Sequence, residues 1–148
     1  MVHVKFNSFG KSNDSGSTWT QSSASSIYFW YSIASSSNGT ILLAGTSGSG
    51  IYISYNSGLT WTQTSAITQY VWFSVSITNS GTTLAALAFN TGVPGLGTGV
   101  FISNYTGSTW TQISSQSEKW YAVTLSGNGN LIAAVSQNPG GKIYIGTS

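Results

Sequence analysis

An all-β repeat architecture is predicted by three observations. One phrase occurs three times, as Ser12-Asn13-Asp14-Ser15-Gly16-Ser17-Thr18-Trp19, Ser54-Tyr55-Asn56-Ser57-Gly58-Leu59-Thr60-Trp61 and Ser103-Asn104-Tyr105-Thr106-Gly107-Ser108-Thr109-Trp110. A second tryptophan follows each copy at a near-constant distance, at Trp30, Trp72 and Trp120. Between copies the patterns are short, β-branched and bounded by glycine, and none carries the i, i+3, i+4, i+7 spacing of a helix. The tryptophans that close the phrases recur at steps of 42 and 49 positions, close to the ~40–50 residues of one four-stranded propeller blade.

The elements follow in order within each unit. First strands are predicted at 30–34, 72–76 and 120–124, alternating large and small residues, as suits crowding around a central axis. Asn38-Gly39, Ser80-Gly81 and Asn128-Gly129 then signal a hairpin, because these residues tolerate a positive φ. The second strands, 41–44, 83–88 and 131–135, are continuous apolar runs, which fits strands covered on both faces. Third strands lie at 51–53, 100–102 and 143–145, and short fourth strands at 18–21, 60–63 and 109–112. The longer step comes from the Gly/Pro-rich stretch 90–99, whose composition is that of a loop.

The phrase S-x-[D/N]-x-G-x-[S/T]-W between third and fourth strands resembles the Asp-box, or BNR repeat, of sialidase-like β-propellers, a repeat shared with sortilins, some glycoside hydrolases and photosystem II assembly factors. The resemblance covers residues 12–148. It implies that Asp14, Gly16, Trp19, Asn56, Gly58, Trp61, Gly107 and Trp110 are structural staples: the acid ties down its own turn and the aromatic packs between strands. The position of the acid holds Asp14, then Asn56, then Tyr105. Asn still bonds to turn amides and Tyr does not in the same way, so the third turn is expected to rely on Gly107 and Trp110.

The strands are out of phase with the blades. Repeats of about 22–63, 64–112 and 113–148 leave the last without a fourth strand, while the strand at 18–21 has no blade of its own. Propellers have ~4–8 blades, so three are expected to close by homo-oligomerisation. The expected assembly is a six-bladed dimer in which 18–21 completes the partner's last blade, with a nine-bladed trimer as the alternative. Residues 1–11 are set apart as an amino-terminal extension, and 2–6 alternate like a strand without fitting the scheme.

Composition excludes several functions. Only 4% of the residues are charged, and the net charge of +2 comes from scattered lysines, so the dense basic stripe of a nucleic-acid footprint is missing. No apolar run approaches the ~18–20 residues of a membrane span, and no signal peptide is expected at the amino terminus. Family sialidases clamp their substrate with three arginines, whereas this sequence contains none. Ordinary glycoside hydrolysis needs two carboxylates ~5–10 Å apart, and only Asp14 and Glu118 are available. His3 is the sole histidine and there is no cysteine. Neither catalysis nor a metal or other cofactor is therefore expected.

What remains is the aromatic set that enters the first strands: Tyr28, Phe29, Trp30 and Tyr31; Tyr70, Val71, Trp72 and Phe73; Trp120 and Tyr121. Of these, Tyr28, Trp30, Tyr70, Trp72, Trp120 and Tyr121 are the ligand-binding candidates. Flanked by Ser, Asn and Gln, they suit a neutral glycan, and dimerisation would repeat the site as in a multivalent lectin. The bland reading makes the same tryptophans blade packing. Two function classes stay open: a non-enzymatic binding module for neutral glycan or protein, and a structural or assembly-scaffold propeller, a fragment or engineered portion of a larger ring.

Overall fold

The computed structural model describes residues 2–5, 8–12, 14–90, 98–104, 106–114, 118–137 and 140–147. Most of the Gly/Pro-rich insertion and Tyr105 of the third phrase lie outside them. Four antiparallel sheets follow one another along the chain. The first contains β1 (Val2–Lys5), β2 (Ser8–Lys11) and β3 (Thr20–Gln21). The second contains β4 (Trp30–Ser35), β5 (Leu42–Thr46), β6 (Ile51–Ser54) and β7 (Thr62–Gln63). The third contains β8 (Tyr70–Ile77), β9 (Leu84–Asn90), β10 (Gly99–Ser103) and β11 (Thr111–Gln112), and the fourth β12 (Trp120–Leu125), β13 (Leu131–Ser136) and β14 (Lys142–Thr147).

The three repeats thus form the sheets their patterns predict, and residues 2–21 add another. Val2 through Lys5 pair with Ser8 through Lys11, and β2 pairs with β3 at Gly10↔Gln21 and Lys11↔Thr20. Within one chain, then, β3 lies on β2 and not on the sheet of 120–147. β1 lies against β4 just as β5 lies against β8 and β9 against β12. This neighbourhood makes β1, β2 and β3 the second, third and fourth strands of a blade.

Each hairpin closes through a Ser36, Thr78 or Ser126 carbonyl accepting the N–H of Gly39, Gly81 or Gly129. The glycines, at φ 73°, 79° and 80°, supply the left-handed residue after the turn.

Among the described residues, one apolar layer joins the second sheet to the third and another joins the third to the fourth. Leu43, Ile51 and Ile53 of the second sheet meet Trp72, Ala86 and Phe101 of the third. Ala85, Leu87 and Val100 on the opposite face of the third meet Val123, Leu125, Ile132 and Ala134 of the fourth. Leu84 through Ala88 are at most 1% exposed, so the continuous apolar run of β9 is explained by its feeding both layers.

First strands also touch one another directly. Ser74 Oγ accepts the Val123 N–H at 3.2 Å and Ser76 Oγ accepts the Leu125 N–H at 2.9 Å, so small hydroxyl residues satisfy neighbouring backbone where strands crowd. At Gly45 of β5 the backbone of the neighbouring first strand also comes close. A Cβ there would stand 2.5 Å from the Trp72 carbonyl oxygen.

Candidate functional site

Each repeated phrase folds into a turn locked by its own side chains. In the first, Ser12 Oγ accepts the Gly16 N–H at 2.8 Å, and the Asp14 carboxylate accepts the Thr18 N–H at 2.9 Å and the Thr18 hydroxyl at 2.6 Å. These donors, the Thr18 hydroxyl foremost, lower the Asp14 pKa to about 2. In the second, Ser54 Oγ accepts the Gly58 N–H at 2.9 Å, while Asn56 accepts the Thr60 N–H at 2.9 Å and donates to its hydroxyl at 2.8 Å. The third keeps the serine bond, Ser103 Oγ accepting the Gly107 N–H at 3.1 Å.

Ser15, Ser57 and Thr106 take φ values of 57°, 56° and 50° before the left-handed glycines Gly16, Gly58 and Gly107. Non-glycine residues resist this conformation, a β-branched threonine most of all, and the bonds across the turn offset that cost.

The second and third turns also dock on the preceding sheet. Ser22 Oγ donates to the Gly58 carbonyl at 3.0 Å and accepts from Trp61 Nε1 at 3.0 Å. One repeat later, Ser65 Oγ donates to the Gly107 and Ser108 carbonyls at 3.1 and 2.8 Å.

Half of the ligand-binding candidates are buried, and Tyr28 and Trp120 are half-buried. Trp30 and Tyr70 are 3% exposed and Trp72 is 0% exposed. Trp30 Nε1 donates to the Ser25 carbonyl and Trp72 Nε1 to the Ile67 carbonyl, so each indole has its apolar body in the core and its polar edge satisfied. Tyr28 and Tyr52 pack on Trp30, Tyr70 and Phe101 pack on Trp72, and Tyr144 packs on Trp120 with ring centroids 4.9 Å apart. With its faces covered, Trp72 has none left for a ligand; of the six candidates, Tyr121 is the exposed one.

Another aromatic set comes to the surface instead. The register slips between Trp30 and Ser32, between Trp72 and Ser74, and between Trp120 and Ala122. One extra residue therefore bulges from each first strand, at Tyr31, Phe73 and Tyr121. A bulge re-aims its side chain, and these are 47%, 38% and 47% exposed. Their centroids are 5.6 Å apart for Tyr31–Phe73 and 5.7 Å for Phe73–Tyr121, with planes tilted by 38° and 47°. The result is a continuous aromatic row across three sheets, with a phenol at each end. The sequence carries a signal for it, an aromatic directly after the second tryptophan in every repeat, but Tyr31 and Phe73 are not among the candidates that the pattern singles out.

Both acids are engaged in bonds that hold structure. Asp14 locks its turn, and Glu118 accepts from the Tyr144 hydroxyl at 2.7 Å with Lys142 Nζ at 3.8 Å. That bond to Glu118 raises the Tyr144 pKa, and burial raises those of Tyr52 and Tyr70. All three phenols stay protonated at neutral pH. Among the described residues no group of three or more His, Cys, Asp or Glu comes together.

No family model matches the chain, and no curated protein does. Solved structures do. The GH74 enzyme of Niastella koreensis superposes with a TM-score of 0.72 at 22% identity, over 95% of this chain and 24% of that one. A chain of the nidogen/laminin complex gives 0.77 at 8% identity, over 99% and 56%. YCF48 bound to D1 peptide gives 0.59 at 15% identity, over 78% and 35%. The chain thus spans about a quarter of the GH74 enzyme and little more than half of the nidogen/laminin chain. At such identities the likeness speaks for fold alone: four consecutive antiparallel sheets, stacked face to face with their first strands side by side, give this chain the β-propeller fold.

Proposed function

We propose that this chain is a non-enzymatic propeller binding module that takes a neutral glycan on the row Tyr31–Phe73–Tyr121. The row itself carries the reading. Three neighbouring rings offer the C–H faces of sugars an apolar platform longer than one ring, and the terminal phenols offer hydrogen bonds. The sparse charge of the chain suits an uncharged ligand. Trp30, Trp72 and Trp120 support the row from within the sheets, so the candidates Tyr28, Trp30, Tyr70, Trp72 and Trp120 act through position and Tyr121 by contact. Catalysis is left out of the reading because each carboxylate is committed to a structural bond and the carboxylate pair of glycoside hydrolysis has no counterpart.

The test is titration of neutral oligosaccharides followed by NMR of the aromatic side chains. Binding should shift Tyr31, Phe73 and Tyr121 together, and Phe73→Ala should weaken it by about tenfold, roughly 1.4 kcal/mol, without unfolding the chain. Silence of all three residues at millimolar sugar would end the glycan reading. A scaffold without a small ligand would then stand, a reading favoured by the burial of Trp30, Tyr70 and Trp72.

A further inference from the structure

Beside β14 lies a cavity of about 470 Å³. Its lining includes Ile113 and Ser114 after β11 and Trp120, Ile132, Ala134 and Tyr144 of the fourth sheet. The corresponding places in the two preceding repeats are filled. Trp61 packs there with Trp30 and Tyr52, and its turn docks on Ser22 and Ser23. Trp110 packs with Trp72 and Phe101, and its turn docks on Ser65. Ile113 and Ser114 stand where Thr64 and Ser65 stand one repeat earlier. The cavity is therefore the imprint of a phrase turn and its tryptophan.

We propose that this cavity receives residues 12–21 of a second copy of this chain, with Trp19 seated on Trp120 and Tyr144. The edge beside it is suited to the strand, since among the described residues β14 pairs only with β13. The donor also matches. Thr-Trp-Thr-Gln at 18–21 is identical to 60–63 and 109–112, the two copies already seated beside third strands. Trp19 is 42% exposed, and β3 is held to β2 by two residue pairs, a small ladder to exchange. The donor comes from another molecule because its own continuation, Ser22 and Ser23, is anchored to the second sheet, on the far side of the third from the cavity.

The register follows from the complete sheets. Tyr52↔Gln63 and Ile53↔Thr62 recur as Phe101↔Gln112 and Ile102↔Thr111. On β14 the same pairing sets Tyr144 opposite Gln21 and Ile145 opposite Thr20 of the partner copy. Directly opposed antiparallel residues stand ~4.5–5.5 Å apart at Cα, within reach of a disulfide.

The chain has no cysteine, so the test is clean. Thr20→Cys with Ile145→Cys, oxidised in the full chain, should give a reducible dimer on non-reducing gels, and Thr20→Cys with Ile143→Cys much less of it. Sedimentation of the unsubstituted chain at tens of micromolar should show the dimer, and Trp19→Ala, at a ring that is 42% exposed, should shift it to monomer while leaving the circular dichroism of the sheets intact. A monomer by sedimentation, a crosslink confined to the monomer band, or equal crosslinking from positions 143 and 145 would overturn the proposal. None of these readouts involves a sugar, so they stand or fall apart from the glycan reading.

Discussion

The second and fourth sheets are built from nearly the same words, yet water meets them differently. Ile51-Tyr52-Ile53 and Ile143-Tyr144-Ile145 are identical third strands. In the second sheet the two isoleucines are 0% and 3% exposed; in the fourth they are 74% and 73% exposed. The strand pattern is local, but burial is supplied by the next sheet along. A repeat unit has an apolar face on each side and covers neither by itself. The interior sheets therefore hold most of the stability, and the outer ones hold the surfaces available to a partner.

The largest expected contrast lies in the tryptophans. Trp72→Ala removes a fully buried ring from the layer between the second and third sheets, and should cost about 3–5 kcal/mol. Trp120→Ala, at a partly exposed site on the cavity, should cost roughly half as much, since the void it leaves is open to water. Urea denaturation of both variants at low protein concentration measures the difference. Equal losses would mean that the outer sheet is as tightly packed as the inner ones.

The glycines sharpen the same contrast on a smaller scale. A Cβ at Gly45 meets a backbone oxygen of the neighbouring first strand, which has no rotamer by which to move aside. Gly45→Ala should destabilise by about 1–3 kcal/mol through overpacking. At Gly146 the nearest atom is Ile132 Cγ2 at 3.5 Å, ordinary contact, and Gly146→Ala should lie within about 0.5 kcal/mol of the parent. Melting temperatures of the two variants decide it.

These differences also mark how far the sequence could be read. Strand order, the hairpin glycines and the phrase turns were legible because each depends on residues close in the chain: Ser54, Asn56, Gly58 and Thr60 bond among themselves. The aromatic row was not. Tyr31 and Phe73 follow buried tryptophans and Tyr121 a half-buried one, and only a slip in pairing with the second strand turns them outward, a property of two strands together. Burial of Trp30 and Trp72 likewise depends on Tyr52 and Phe101, about 20 to 30 residues away. Residues 2–6 offered alternation that fitted no place in the repeats, and the place of Val2 through Lys5 in a sheet shows only in their pairing with β2.

The smallest expected effect separates the first two phrase turns, which bond alike but differ in charge. Asp14 has a folded pKa of about 2 against an ordinary 3.8. A carboxyl lowered on folding lends stability that is fully present above its unfolded pKa and is lost as pH falls through the folded value. The first turn should therefore loosen between about pH 4 and pH 2, while the second, held by Asn56, should not respond. The group is wholly exposed, so solvent screens the effect and global unfolding is a poor probe. Amide chemical shifts of Gly16 and Thr18 against those of Gly58 and Thr60 across that window are the direct measurement. Asp14→Asn should flatten the response of the first turn while keeping the bond from the Thr18 N–H. If Gly58 and Thr60 titrate in parallel with Gly16 and Thr18, the loosening is a property of the whole molecule and the charge on Asp14 is not its cause.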